Sequence, residues 1–131
     1  MHGNNVYALI AQEKKMPDDT AKITIRLRII DYYILTGKYD SASAEINETR
    51  ALSKKINNVY GLAAAICYKA IIQYNQSKYD NSIASLDSAQ SLFVSIKNAT
   101  GEIKAINHKA KALAALDRYK EALELLALAE T

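Results

Sequence analysis

The chain has 131 residues, half of them apolar and 24% charged, with a net charge of +3. That is the composition of one globular domain large enough to bury a core, and the mild positive excess falls short of the basic stripe that nucleic-acid binding uses. Its one cysteine, Cys67, excludes an internal disulfide and a cysteine-held metal, and its place in an apolar run reads as a small buried hydrophobe.

In chain order, the opening MHGNN lacks the charged, apolar, small-residue sequence of a secretion signal. It reads as a cut start, leaving the compartment open, with the cytoplasm as the default. The periplasm is the alternative if a parent protein carries a signal or anchor outside these residues. No apolar run approaches the ~18–20 residues of a membrane span, so no direct membrane insertion is expected. Helical spacing of apolar residues then predicts a first helix over residues 5–15. Six more follow, over roughly 21–35, 40–55, 61–75, 80–95, 101–115 and 120–130. In SIASLDSAQSLF, for example, Ile83, Leu86, Ala89 and Phe93 recur at intervals of three and four. Asp40 and Asp80 fall in first turns, where a carboxylate offsets exposed amides. Asn57-Asn58 and Lys97-Asn98 mark polar breaks, and short breaks around Gly37, Ser77 and Asp117 turn each helix pair back on itself.

These elements repeat. Sliding the chain forty residues along itself superposes GKYDSAS, SKYDNSI and DRYKEAL, placing Tyr39, Tyr79 and Tyr119 in one column. Ala42, Ser82 and Ala122 share a small column, Ile46, Leu86 and Leu126 a large apolar one, and Thr49, Ala89 and Ala129 another small one. Gly61 coincides with Gly101 and Ile56 with Ile96, with no gap anywhere. A period in this range signals a solenoid of stacked helix pairs. Residues 5–16 then form the second helix of a truncated repeat, and 21–58, 61–98 and 101–131 form three repeats. The closing EALELLALAET leaves an apolar face uncovered where solenoid ends normally turn polar. The chain is therefore expected to be a fragment of a longer array or to pair with another chain.

A Tyr followed by a small, a large and another small residue in a helix pair resembles the tetratricopeptide repeat. DRYKEALELLALAE at 117–130 carries the resemblance best, and Gly37, Tyr39, Ala42 and Ala122 fit the Gly-x-Tyr-x-x-Ala pattern. The likeness covers roughly 5–131, with a period of forty rather than the usual ~34, similar to a long bacterial variant. It implies an all-α solenoid of about seven helices arranged as antiparallel pairs in a superhelix, with first helices lining a concave binding face. It places Leu27, Asp31 and Ile34, beside Thr24 and Arg28, on that face. From the second repeat come Tyr68, Ile71, Tyr74 and Asn75 beside Cys67, and from the third Lys104, Asn107, His108 and Lys111. The implied groove grades from mixed to apolar-aromatic to basic, suiting a peptide with an apolar anchor and an acidic end. A carboxylate clamp of the chaperone-binding kind is not implied, because Leu27, Asp31 and Tyr68 stand where Lys or Asn is needed. Only Lys104 fits, with His108 standing in for Arg.

Two columns depart from the family. Lys69 and Lys109 align with Ile29, and Gln73 with Tyr33 and Leu113. A sealed, unpaired lysine is costly, so both ammonium groups are expected to reach solvent. No catalytic centre, metal or cofactor is expected. His2 and His108 are the only histidines, the four glycines are isolated, and Asp18-Asp19 read as a cap. The expected function is a non-enzymatic protein- or peptide-binding scaffold within a larger bacterial regulatory, sensor or assembly protein. The alternatives are homodimerisation through the uncapped terminal helices or the groove, and a sensory domain whose output or catalytic domain lies elsewhere.

Overall fold

The computed structural model describes residues 2–130, with side chains from Val6. Its described residues form seven helices and no strand: α1 (His2–Lys15), α2 (Thr20–Leu35), α3 (Tyr39–Lys55), α4 (Val59–Asn75), α5 (Tyr79–Ser95), α6 (Ala99–Ala115) and α7 (Tyr119–Ala129). Helix starts fall one or two residues earlier than the apolar spacing suggested, except that α1 already begins at His2 rather than near residue 5. Residues up to Ala65 make one compact unit and residues from Ile66 a second, the division falling inside α4. In the first unit α1 packs on α2 and α2 on α3; in the second α5 packs on α6 and α6 on α7.

Short turns of one design follow α2 to α6. Their central residues, Gly37, Asn57, Ser77, Lys97 and Asp117, all have a positive φ between 56° and 74°. The N–H after each centre reaches back to the last helical turn: Lys38 to Tyr33 O at 2.8 Å, Asn58 to Ser53 O at 2.8 Å, Lys78 to Gln73 O at 2.8 Å, Asn98 to Phe93 O at 2.9 Å and Arg118 to Leu113 O at 2.9 Å. The central N–H bonds the carbonyl three residues back, as in Ser77 to Tyr74 O at 2.9 Å. This is the Schellman closure, which satisfies the orphan carbonyls of a helix end and requires one left-handed residue. Only Gly37 takes that conformation without a Cβ cost.

The starts alternate. Asn58 and Asn98 accept from Gly61 N–H at 2.8 Å and Gly101 N–H at 2.9 Å, and Asp19 accepts from Lys22 N–H at 3.2 Å. Lys38, Lys78 and Arg118 make no side-chain cap; there an acid in the first turn, Asp40, Asp80 or Glu121, faces the positive end of the dipole. The paired glycines have a packing reason. A Cβ on Gly101 would strike the Phe93 ring, and one on Gly61 would lie 2.6 Å from Ser53 Oγ.

The repeat columns are the core. Ala42, Ser82 and Ala122 are buried, as are Ile46, Leu86, Thr49 and Ala89. The two hydroxyls stay satisfied: Ser82 donates to Ala70 O at 2.8 Å and Thr49 to Glu45 O at 2.8 Å. In the anomalous column Ile29 is buried and Lys69 is exposed, while half-buried Lys109 forms an ion pair with Asp87 on α5. Neither lysine is sealed in the core. Gln73 is satisfied too, its Oε1 accepting from Ser85 Oγ at 2.7 Å. The column tyrosines differ in use. Tyr79 stacks edge-on against Tyr74 at 5.3 Å between centroids, whereas exposed Tyr119 donates to Asp117 at 3.0 Å instead of covering a helix.

Ser77→Gly removes the Cβ from one left-handed turn and is expected to raise stability by about 0.5–1 kcal/mol in urea unfolding. An unchanged or lowered midpoint would show that this turn carries no strain.

Candidate functional site

Three groups of side chains stand out. The first is an ion cluster in the first unit. Arg26 on α2 holds Glu13 of α1 at 2.7 Å, Glu45 of α3 at 2.8 Å and Glu48 of α3 at 2.9 Å. Side-chain exposure is 9% for Glu13, 11% for Arg26 and 18% for Glu45, rising to 65% for Glu48. Lys22 adds a longer contact to Glu13 at 3.8 Å and one to Asp18 at 3.2 Å, and Lys55 meets Asp18 at 3.0 Å. Burial pushes the Glu45 carboxyl up, against the pull of Arg26 and with the help of Glu13 and Glu48. The Asp18 carboxyl is held low by its bonds to Lys55 and Lys22. Apolar periodicity could not reveal this cluster. The available signal was a charge at Glu13, Arg26 and Glu45 in columns that hold Phe93, Ile106 and Leu125 two repeats on.

The second group lies in the second unit, where α4 meets α6. Half-buried Cys67 packs on the cluster of Ala70, Leu86 and Ala105. Burial pushes its thiol up to about 11, with nearby Lys104 opposing. Along α4, Tyr68, Ile71 and Tyr74 are half-buried and Asn75 is exposed. Along α6, Lys104, Asn107 and Lys111 are exposed around half-buried His108. Burial lowers the His108 pKa, and Lys111 and Lys104 lower it further, so the ring is neutral at pH 7. Neither lysine has an ion pair among the described residues. The remaining expected residues, half-buried Leu27 and Ile34 with exposed Asp31, lie on α2 in the first unit. Every residue expected on the binding face thus keeps some solvent contact, while Tyr74 is engaged by Tyr79. Of the other basic residues on α2 and α6, Lys22, Arg26 and Lys109 are neutralised by carboxylates.

The third group is a cleft of about 350 Å³ in the second unit. Ile83, Leu113 and Leu125 form its apolar part, with Lys109, Asp87 and Glu124 at the rim. Lys109 lines this cleft and pairs there with Asp87 of α5, whereas Lys104 and Lys111 do not line it.

No protein-family model matches this chain, and no curated protein or solved structure matches it either. No helix among the described residues is long and apolar enough to cross a membrane.

Arg26→Met leaves three carboxylates without their shared guanidinium and is expected to cost on the order of 3 kcal/mol. Amide exchange should quicken first in α1; a change below about 0.5 kcal/mol would show that the cluster contributes no net stability. For Cys67, thiolate near neutral pH should be about a hundredfold scarcer than for a thiol of pKa 9. Alkylation by iodoacetamide should therefore keep accelerating beyond pH 10, and a plateau below pH 9 would contradict the burial argument.

Proposed function

We propose that this chain is a tetratricopeptide-like scaffold that binds an extended or helical peptide through the face shared by the C-terminal half of α4 and α6. One observation carries the reading: Lys104 and Lys111 are exposed and have no ion pair among the described residues, on either side of half-buried His108, beside half-buried Cys67. Elsewhere on α6 the cation is spent, since Lys109 is bound to Asp87. Unpaired cations over partly open apolar and aromatic surface suit a ligand that combines an apolar anchor with carboxylates. The work is binding, and any catalysis lies with the partner or with domains of a longer protein. Tyr74 supports the face through its stack on Tyr79, and half-buried Ile71 is the apolar contact residue on α4.

His108 makes the proposed site pH-sensitive. Its free pKa is depressed, and a bound carboxylate would raise it, so protons and ligand assist each other. The test uses two fluorescein-labelled peptides sharing a Leu-Phe anchor, one followed by three glutamates and one by three lysines. The acidic peptide should bind about tenfold more tightly or better, and tighten further from about pH 7.5 to about pH 5.5. Lys104→Glu with Lys111→Glu should abolish the preference, and His108→Ala should flatten the pH response. Equal binding of both peptides by the wild-type chain would refute the proposal.

A further inference from the structure

The cleft between α5 and α7 has a lining that the repeat itself does not require. Both helices pack on α6, which supplies Lys109 and Leu113 to the cleft. Helix α5 contributes Ile83 and Asp87, the turn before α7 contributes Arg118, and α7 contributes Glu121, Glu124 and Leu125. One repeat earlier, Ser43 stands for Ile83, Gln73 for Leu113, Ser85 for Leu125 and Ala84 for Glu124. Gln73 and Ser85 satisfy each other there through a hydrogen bond. A helix pair therefore forms without an apolar and acidic lining at these positions. The α7 positions face the preceding helix, since Leu125 joins Leu113 of α6 in one cluster as Ser85 joins Gln73 of α4. Packed neighbours form the cleft, not an uncovered flank.

Its charges are unequal. Lys109 pairs with Asp87, and Arg118 grips Glu121 through two bonds of 2.8 and 2.6 Å. The Glu121 carboxyl is held low by those bonds and further by the charge of Lys109. Both cations are thus engaged. Glu124, exposed at the rim, has no ion pair among the described residues. Three carboxylates against two cations leave one net negative charge, in a chain whose net charge is +3. Beside them, half-buried Ile83 and Leu125 and buried Leu113 offer apolar surface.

We propose that this cleft is a binding site for a small amine, a primary ammonium group carried on an apolar body. The body lies on Ile83, Leu113 and Leu125, and the ammonium meets Glu124, the carboxylate left over. The volume of about 350 Å³ falls within the range of roughly 300–1,000 Å³ found for small-molecule sites. Burial of the body supplies most of the affinity, because an ion pair at an exposed carboxylate adds little. Charge instead sets the selectivity. An anion finds Lys109 and Arg118 already taken and meets the surplus carboxylate. Lys104, His108 and Lys111 do not line the cleft, so the amine site and the peptide-binding face are independent.

The test is an NMR titration of the methyl-labelled full chain with tryptamine, its neutral isostere indole-3-ethanol, and indole-3-propionate. Tryptamine should bind saturably with a Kd of about 1 mM or tighter. The methyl signals of Ile83, Leu113 and Leu125 should move most. The alcohol should bind about threefold more weakly, and the propionate about tenfold more weakly or worse. Glu124→Gln should bring the amine down to the alcohol and leave the alcohol unmoved, whereas Glu124→Lys should put the propionate first. Glu124 is exposed, so neither change burdens the core. Leu125→Ser should weaken all three probes, with circular dichroism checking the fold. The proposal is overturned if tryptamine shows no saturable binding below about 10 mM, or if amine and propionate bind equally. Amine binding indifferent to Glu124→Gln overturns it too, as do signal changes centred on Ile71 of the α4–α6 face.

Discussion

The left-handed turn that closes α2 to α6 is the constraint on which the other features depend. A Schellman closure leaves little freedom in how a chain departs from a helix. Five copies of it, with a positive φ at Gly37, Asn57, Ser77, Lys97 and Asp117, give five near-identical reversals. Because each reversal is the same, residues forty apart meet the same surroundings. The columns of small and large residues can then act as a packing code. Asparagine caps at Asn58 and Asn98, each followed by a glycine under a side chain of the preceding helix, hold the approach of successive pairs tight.

Within that fixed geometry the chain exchanges chemistry slot by slot. Burial of Glu45 raises its carboxyl pKa, and Glu45 is also what raises the phenol of Tyr33 after burial itself. One repeat on, the same two positions are Gln73 and Ser85, joined by a hydrogen bond. Two repeats on, they are Leu113 and Leu125 in one apolar cluster. Each pair is matched in polarity to itself rather than to its column. A buried donor or acceptor without its complement would cost more than either matched solution.

This explains what was legible in the sequence. Helix number, their limits to within a residue or two except at the start of α1, and the turn positions follow from apolar spacing and the forty-residue offset, because interior packing is written in residues the chain itself contains. Lys109 reads as an anomaly in sequence because its answer, Asp87, lies on another helix and outside the apolar pattern. Arg26 was illegible for the same reason: a charge in a core column gains meaning only from three carboxylates on two other helices. The candidate binding residues were legible as positions on helix faces but not as a site. Lys104, His108 and Lys111 come together on α6, and Leu27, Asp31 and Ile34 on α2. What they bind is specified by a partner whose chemistry the chain reflects only in outline, through unpaired charge beside partly open apolar surface.

The slot exchange also divides the molecule's response to its medium. Helix α1 is anchored in part by ions around Arg26, whereas Ala122 and Leu125 of α7 join an apolar cluster with Ala110 and Leu113. Salt screens the exposed limb of the first anchorage at Glu48 and Asp18 and acts less on the apolar contacts of the second. Cooling weakens apolar burial, and warming lowers the desolvation cost of charges. Brine therefore loosens the first helix and chill the last, so two ends built on one repeat answer to different thermodynamic variables.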